Sequence, residues 1–279
     1  MHLYRSIGTI DTIPSHVHLA PTATKLPEDP TGKVIVCGSH GGAYAGYLVA
    51  RTTAGSVILN DAGVGRDRAG IGTLTLCEAI DMPAATVGHE SARIGDAMDM
   101  YVRGVISHVN EPARALGCTP GMSCGEAAAR LEAAGPHRSP RAYAEARTLL
   151  GQTSQGLRIV CVDSISLVDE SDVGQVVLSG SHGAVVSGQR ALAIRVKAAA
   201  AFFNDAGVGA DGAGISRLPV LDEMGVAGVT VTTMSARIGD ARSTYEDGVV
   251  SAVNACAAAF GLATGMRAVE AADRVVPTR

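Results

Sequence analysis

Residues 176–183 read VVLSGSHG, and residues 34–41 read VIVCGSHG. An apolar run without polar alternation is the pattern of a strand buried on both faces, as in a parallel sheet. The Gly-Ser-His-Gly that follows reads as the turn at the strand's C-terminal end. The chain is therefore organised twice around a strand that delivers Ser-His-Gly to one edge of a sheet.

Both stretches belong to a long internal repeat. NDAGVG stands at residues 60–65 and 204–209, and SARIGDA at 91–97 and 235–241. Asn60 recurs as Asn204, Ser91 as Ser235 and Gly104 as Gly248, each at an offset of 144. From His40 to His182 the offset is 142, so the second copy carries two extra residues after its Ser-His-Gly. Identical hexamers and heptamers in register read as duplication of a domain-sized unit, far longer than a solenoid repeat. The expected fold class is α/β: two tandem homologous parallel-sheet (Rossmann-like) domains, residues 1–138 and 139–279.

Within each copy, apolar runs alternate with helical patterns, as in βαβ units. Strands are expected over 16–24 and 157–168, at the two Ser-His-Gly stretches, over 56–61 and 200–205, and over 84–89 and 227–233. Helices are expected over 43–51 and 184–196, 70–81 and 214–224, 97–116 and 241–260, and 124–134 and 266–275. Gly117 and Gly261 stop the two long ones. GPHRSP, residues 135–140, reads as a linker leading into an Arg-rich connecting helix that ends near Leu150.

The 279 residues are 47% hydrophobic and 18% charged, which supports a substantial core and argues against a disordered chain. Aromatics are 3% and Trp is absent, so the core rests on Val, Ile, Leu and Ala. A net charge of -4 argues against a nucleic-acid partner. Cys37, Cys77, Cys118, Cys124, Cys161 and Cys256 form no CxxC pair and read as small buried hydrophobes of a reducing cytosol. Residues 1–16 show no signal pattern, and no apolar run reaches the roughly 18 residues that span a membrane. The protein is expected to be cytoplasmic, to have no membrane partner and to form a homo-oligomer.

Three successive strands in each copy end in a polar or Gly-rich signature, and open α/β sheets place ligands beyond the C-terminal ends of their strands. The apolar strands differ between copies while these turns are identical, which points to the turns as functional. His40 and His182 are the expected acid/base groups. Asn60, Asp61, Asn204 and Asp205 would orient them or hold an oxyanion. Ser39, Gly41, Ser91 and Arg93, with Ser181, Gly183, Ser235 and Arg237, are the expected substrate-binding set, Arg being the bidentate clamp for a carboxylate. Structural alternatives stand beside each: a capping turn for Ser-His-Gly, an Asx turn for Asn-Asp, and an Arg–Asp pair that fixes the turn or joins the copies. The second copy alone carries Asp163-Ser164 and Glu246-Asp247. No HxH or HExxH spacing points to a metal, GVG lacks the spacing of a dinucleotide loop, and no cofactor is expected.

The order apolar strand, Ser-His-Gly, helix, apolar strand ending in Asp-Ala resembles the His-Gly and Cys blocks of caspase-like cysteine peptidases over about thirty residues. Their nucleophile would fall at Ala62 or Gly63, or at Ala206 or Gly207, so thiol-peptidase chemistry by that route is disfavoured. The sequence reads best as an enzyme acting on a small polar, carboxylate-bearing metabolite. The expected reaction is cofactor-free hydrolysis of a C–N bond in an amide or cyclic amide. An isomerase or lyase using the same His and Asp is the alternative, and a non-catalytic small-anion-binding or structural protein is the alternative from another class.

Overall fold

A computed structural model describes residues 13–277. The reading of residues 1–12 as free of a signal pattern lies outside them. The first half runs β1 (Val17–Ala20), β2 (Val34–His40), α1 (Ala43–Ala50), β3 (Ser56–Asn60), α2 (Gly72–Glu78), β4 (Ala84–Val87), α3 (Ala97–Arg103), β5 (Ile106–Val109), α4 (Glu111–Ala115) and α5 (Cys124–Leu131). The second half runs β6 (Arg147–Gln152), β7 (Arg158–Val162), β8 (Val176–His182), β9 (Ala200–Asn204), α6 (Arg217–Glu223), β10 (Ala227–Val231), α7 (Ala241–Glu246), β11 (Val250–Val253), α8 (Ala255–Ala259) and α9 (Ala268–Asp273).

The strands form a five-stranded sheet, β1-β2-β3-β4-β5, and a six-stranded sheet, β11-β10-β9-β8-β7-β6. Both are mostly parallel, so this is an α/β fold in two sheets. Each is mixed rather than wholly parallel, because β5, β6 and β11 run antiparallel to their neighbours. Side chains alternate across each sheet. Ile35, Val57 and Leu59 belong to the apolar layer that contains α1 and α2 residues, whereas Val34, Val36 and Ile58 belong to the layer that contains Met100, Ala127 and Leu131. Burial on both faces is why these strands read as continuous apolar runs. Among the described residues, no helix is long and apolar enough to cross a membrane.

Four expected helices are replaced, each for a local reason. The helices expected over 97–116 and 241–260 are each a helix, an antiparallel strand and a second helix. Asn110 and Asn254 sit inside those spans as N-caps, their carbonyl oxygens accepting from Ala113 N and Ala257 N. Asn110 also accepts from Ala84 N and donates to Met82 O, which pins its own turn to β4 and forbids a helix through it.

The helix expected over 184–196 is two short 3₁₀ turns, Val186–Gly188 and Arg190–Leu192. Its counterpart α1 lays Gly46 against Thr73, where even a Cβ would collide. The second half has Arg217 in place of Thr73. The Arg217 guanidinium donates to Ala193 O and Ala184 O, carbonyls that a continuous helix would turn inward. The helix expected to end near Leu150 is instead edge strand β6, held where Arg147 grips buried Asp172 through both carboxylate oxygens at 2.9 and 2.8 Å.

The halves meet at their repeated turns. Gly63 and Gly207 abut, and a Cβ on either would lie 3.1 Å from the other's Cα. Arg66 N donates to Thr233 O, Ala210 N to His89 O, and Thr233 Oγ1 to Ala62 O. Ala62, Ile94, Ala184, Ala206, Ala213 and Ile238 form one apolar cluster drawn from both halves.

Candidate functional site

The Ser-His-Gly residues sit in a bulge at the end of each central strand. β2 pairs Val36 with Ile58 and then His40 with Asn60; β8 pairs Leu178 with Phe202 and then His182 with Asn204. The extra residues bend the strand and aim the histidine past the sheet edge. Glycine is required on both sides of the bend. A Cβ at Gly38 would lie 2.7 Å from Pro21 O, and one at Gly180 2.6 Å from Asp240 N. A Cβ at Gly41 would meet Gly70 O at 2.5 Å, and Gly183 is as closely covered by Gly214 O. Ser39 Oγ accepts from Ala23 N and Ser181 Oγ from Ile165 N, each tying the bulge to the loop after the neighbouring strand.

The two histidines open into one cavity of about 160 Å³ between the halves. Their ring centroids are 6.4 Å apart, edge to face. His40 Nδ1 accepts from Gly42 N at 3.1 Å, and His182 Nδ1 from Ala184 N at 3.2 Å. A backbone N–H can only donate, so each Nδ1 offers its lone pair and each neutral ring carries its proton on Nε2. Among the described residues neither Nε2 has a protein partner, and Nε2–H is the free donor of each ring. Burial pushes His40 down to about 4. His182 is held well below its ordinary value by burial, then by Arg217 and His40. Both rings are neutral at pH 7.

The rest of the wall differs between the halves. Thr22, Tyr44 and Leu48 come from the first half; Asp163, Ser164, Leu192, Ile194 and Arg217 come from the second. Glu145 reaches in from the segment joining the two sheets. Its carboxyl is pushed up to about 7 by burial and by the charge of Asp163, against hydrogen bonds from Ser164 and Tyr44. The Asp163 carboxylate accepts from Ala146 N at 2.8 Å and Ala241 N at 3.0 Å, which fixes it beside the start of α7. Arg217 is 2% exposed. Its guanidinium lies 4.4 Å over the ring of Phe203, and burial lowers its pKa to about 10.

Of the residues expected at the site, the structure brings Ser39, His40, Ser181 and His182 to this cavity. Gly41 and Gly183 shape the turns behind it. The others lie at the junction of the halves. Asn60 accepts from Ala62 N and donates to Ala92 O; Asn204 accepts from Ala206 N and donates to Ala236 O. These bonds staple the two repeated turns of each half together.

Asp61 accepts from Gly63 N, His89 N and His89 Nδ1, and Asp205 from Gly207 N and Thr233 N. Ser91 donates to Gly88 O, and Ser235 to Thr232 O. Arg93 pairs with Asp96, Asp99 and, across the junction, Asp211. Arg237 pairs with Asp240 and, across the junction, Asp67. The identical turns of the two copies face each other across the junction, so a change in one alters the surface its counterpart meets.

Sequence reasoning passed over Glu145 and Arg217. Glu145 falls in a stretch read as helix. Arg217 stands where the first copy has Thr73, a difference between the copies that carries no motif of its own. Among the described residues, no three His, Cys, Asp or Glu side chains gather in a group that could hold a metal ion. Comparison of the chain with protein-family models, curated proteins and solved structures returned no match.

Proposed function

We propose that the protein is a cofactor-free acid–base enzyme of the cytoplasm whose active site is the cavity between the halves, and that it hydrolyses a C–N bond of a small polar amide or cyclic amide. The observation that carries this reading is the pair of neutral imidazoles, delivered from equivalent strand ends, with each Nδ1 spent on backbone and each Nε2–H free. Such rings are donors to a developing oxyanion rather than bases, a role that depressed basicity favours. The base falls to Glu145, whose carboxyl near 7 matches neutral operation.

In hydrolysis, Glu145 takes a proton from water as the water oxygen bonds to the carbonyl carbon. The carbonyl electrons move to oxygen, where the two Nε2–H groups hold the charge. Collapse of the intermediate breaks the C–N bond, and the Glu145 proton passes to the leaving nitrogen. Acid and amine are the products.

The test is proton NMR in D₂O of the protein with a panel of carboxylate-bearing amides and lactams. Expected is cleavage to acid and amine by wild type, with Glu145→Gln slower by ~10²–10⁴. Deuterium entering a carbon without cleavage would instead identify an isomerase with the same groups. Undiminished turnover by Glu145→Gln would overturn the assignment.

A further inference from the structure

The cavity holds a cation with no acid of its own. Among the described residues, no carboxylate lies within ion-pair distance of Arg217. Of the five N–H donors of a guanidinium, the polar contacts found use one on each terminal nitrogen, both on neutral carbonyls. Among the described residues Nε has no hydrogen-bond partner. A buried charge left uncompensated is expensive, and carbonyls with one aromatic face compensate it only in part. The remaining charge acts on the cavity that Arg217 lines, beside His182.

The acids of the cavity lie on the other side. Asp163 follows β7, His182 ends β8, and Arg217 sits over Phe203 of β9. Adjacent strands are about 4.8 Å apart, so the acids and the guanidinium flank His182 by roughly one strand each. The first half has Thr73 where the second has Arg217, so this polarity exists once, not twice. Lys25 and Arg195 also line the cavity, as exposed side chains.

We propose that Arg217 is a specificity-determining residue, and that the cavity takes one small monocarboxylate with its carboxylate turned toward Arg217 and its reacting carbonyl toward His40 and His182. This rests on the cavity being the active site and adds the charge and orientation of its substrate. It also replaces Arg93 and Arg237 as the carboxylate-binding cations, since both are engaged at the junction.

The probes are propionate and its neutral isostere propionamide, titrated into wild type, Glu145→Gln, Arg217→Met and Arg217→Lys. The readouts are melting temperature and the imidazole NMR signals of His40 and His182. Expected is propionate binding at least tenfold tighter than propionamide in wild type and Glu145→Gln. The preference should weaken in Arg217→Lys and vanish in Arg217→Met. Should Arg217→Met fail to fold, the comparison of the two probes in wild type and Arg217→Lys decides.

Equal affinity for the two probes, no shift of the imidazole signals by either, or a full preference in folded Arg217→Met would overturn the proposal. Propionate selectivity with undiminished turnover in Glu145→Gln would sink the catalytic reading alone. Loss of turnover in Glu145→Gln with no selectivity would sink the carboxylate proposal alone.

Discussion

At the scale of the residue, one backbone hydrogen bond decides what a histidine can do. Gly42 N and Ala184 N each occupy an Nδ1 lone pair, and the proton is left on Nε2, facing the cavity. The donor role separates from a base role by substitution. Asparagine keeps an N–H that can reach an oxyanion, and alanine does not. His40→Asn and His182→Asn are expected to retain at least tenfold more activity than the corresponding alanine variants, with each alanine variant losing ~10²–10³ in kcat. Equal losses for asparagine and alanine in a steady-state assay would restore histidine as the base. The pH profile gives a second check: kcat should rise through a midpoint near 7 as Glu145 loses its proton, with no inflection from either histidine near 6.5. The Ser-His-Gly turns were legible in the sequence because an apolar strand ran into them twice. Their chemistry was not, because the tautomer depends on an amide two residues along the bent chain.

At the scale of the element, the boundaries that went unseen are set by side chains that leave their own element. Asn110 and Asn254 look like ordinary helix residues by spacing, yet each caps a new helix and ties it to a neighbouring strand. Asn110→Ala removes an N-cap and leaves buried backbone groups unpaired, for an expected loss of about 2–3 kcal/mol. Urea denaturation measures it, and a loss below about 0.5 kcal/mol would mean the cap does not hold the β5–α4 corner. Arg217 likewise unwinds the segment after β8 by claiming two of its carbonyls. Periodicity alone cannot register that competition, because the cation stands well away in sequence. The strands were read correctly wherever both faces are buried. β5, β6 and β11, with their partly exposed residues, were missed.

At the scale of the whole molecule, the two halves are joined by the residues the repeat shares. Identity between copies marks both the meeting surface and the two histidine turns of the cavity, while the charge asymmetry of the cavity comes from residues in which the copies differ. The cross-junction ion pairs of Arg93 and Arg237 are substantially exposed and each is worth at most about 1 kcal/mol. Backbone bonds and close glycine contacts carry the junction. Gly207→Val would push a branched side chain into Gly63 and His89 at a residue with φ +75, and is expected to lower stability by more than about 2 kcal/mol. Calorimetry showing an unchanged melting temperature would contradict this.

The histidines give stability a maximum near neutral pH. His40 and His182 are depressed, so their contribution is present above 6.5 and is lost as pH falls toward the folded value, about 4 for His40. His89 is raised, chiefly by its hydrogen bond to Asp61. Its contribution is complete below 6.5 and is lost as pH rises through the raised value. Melting temperature against pH should therefore fall on both sides, and a curve that climbs steadily from pH 5 to pH 9 would be inconsistent with the His89–Asp61 pair.

The most direct test of a single cavity built from both halves is ¹⁵N NMR titration of the imidazoles in wild type and His40→Asn. The expected result is that both His40 and His182 are neutral Nε2–H tautomers at pH 7, that His40 titrates near 4, and that His40→Asn moves the His182 midpoint upward, since His40 is one of the groups that depress it. Two rings that titrate independently near 6.5, or a His182 signal untouched by replacement of His40, would contradict the shared cavity.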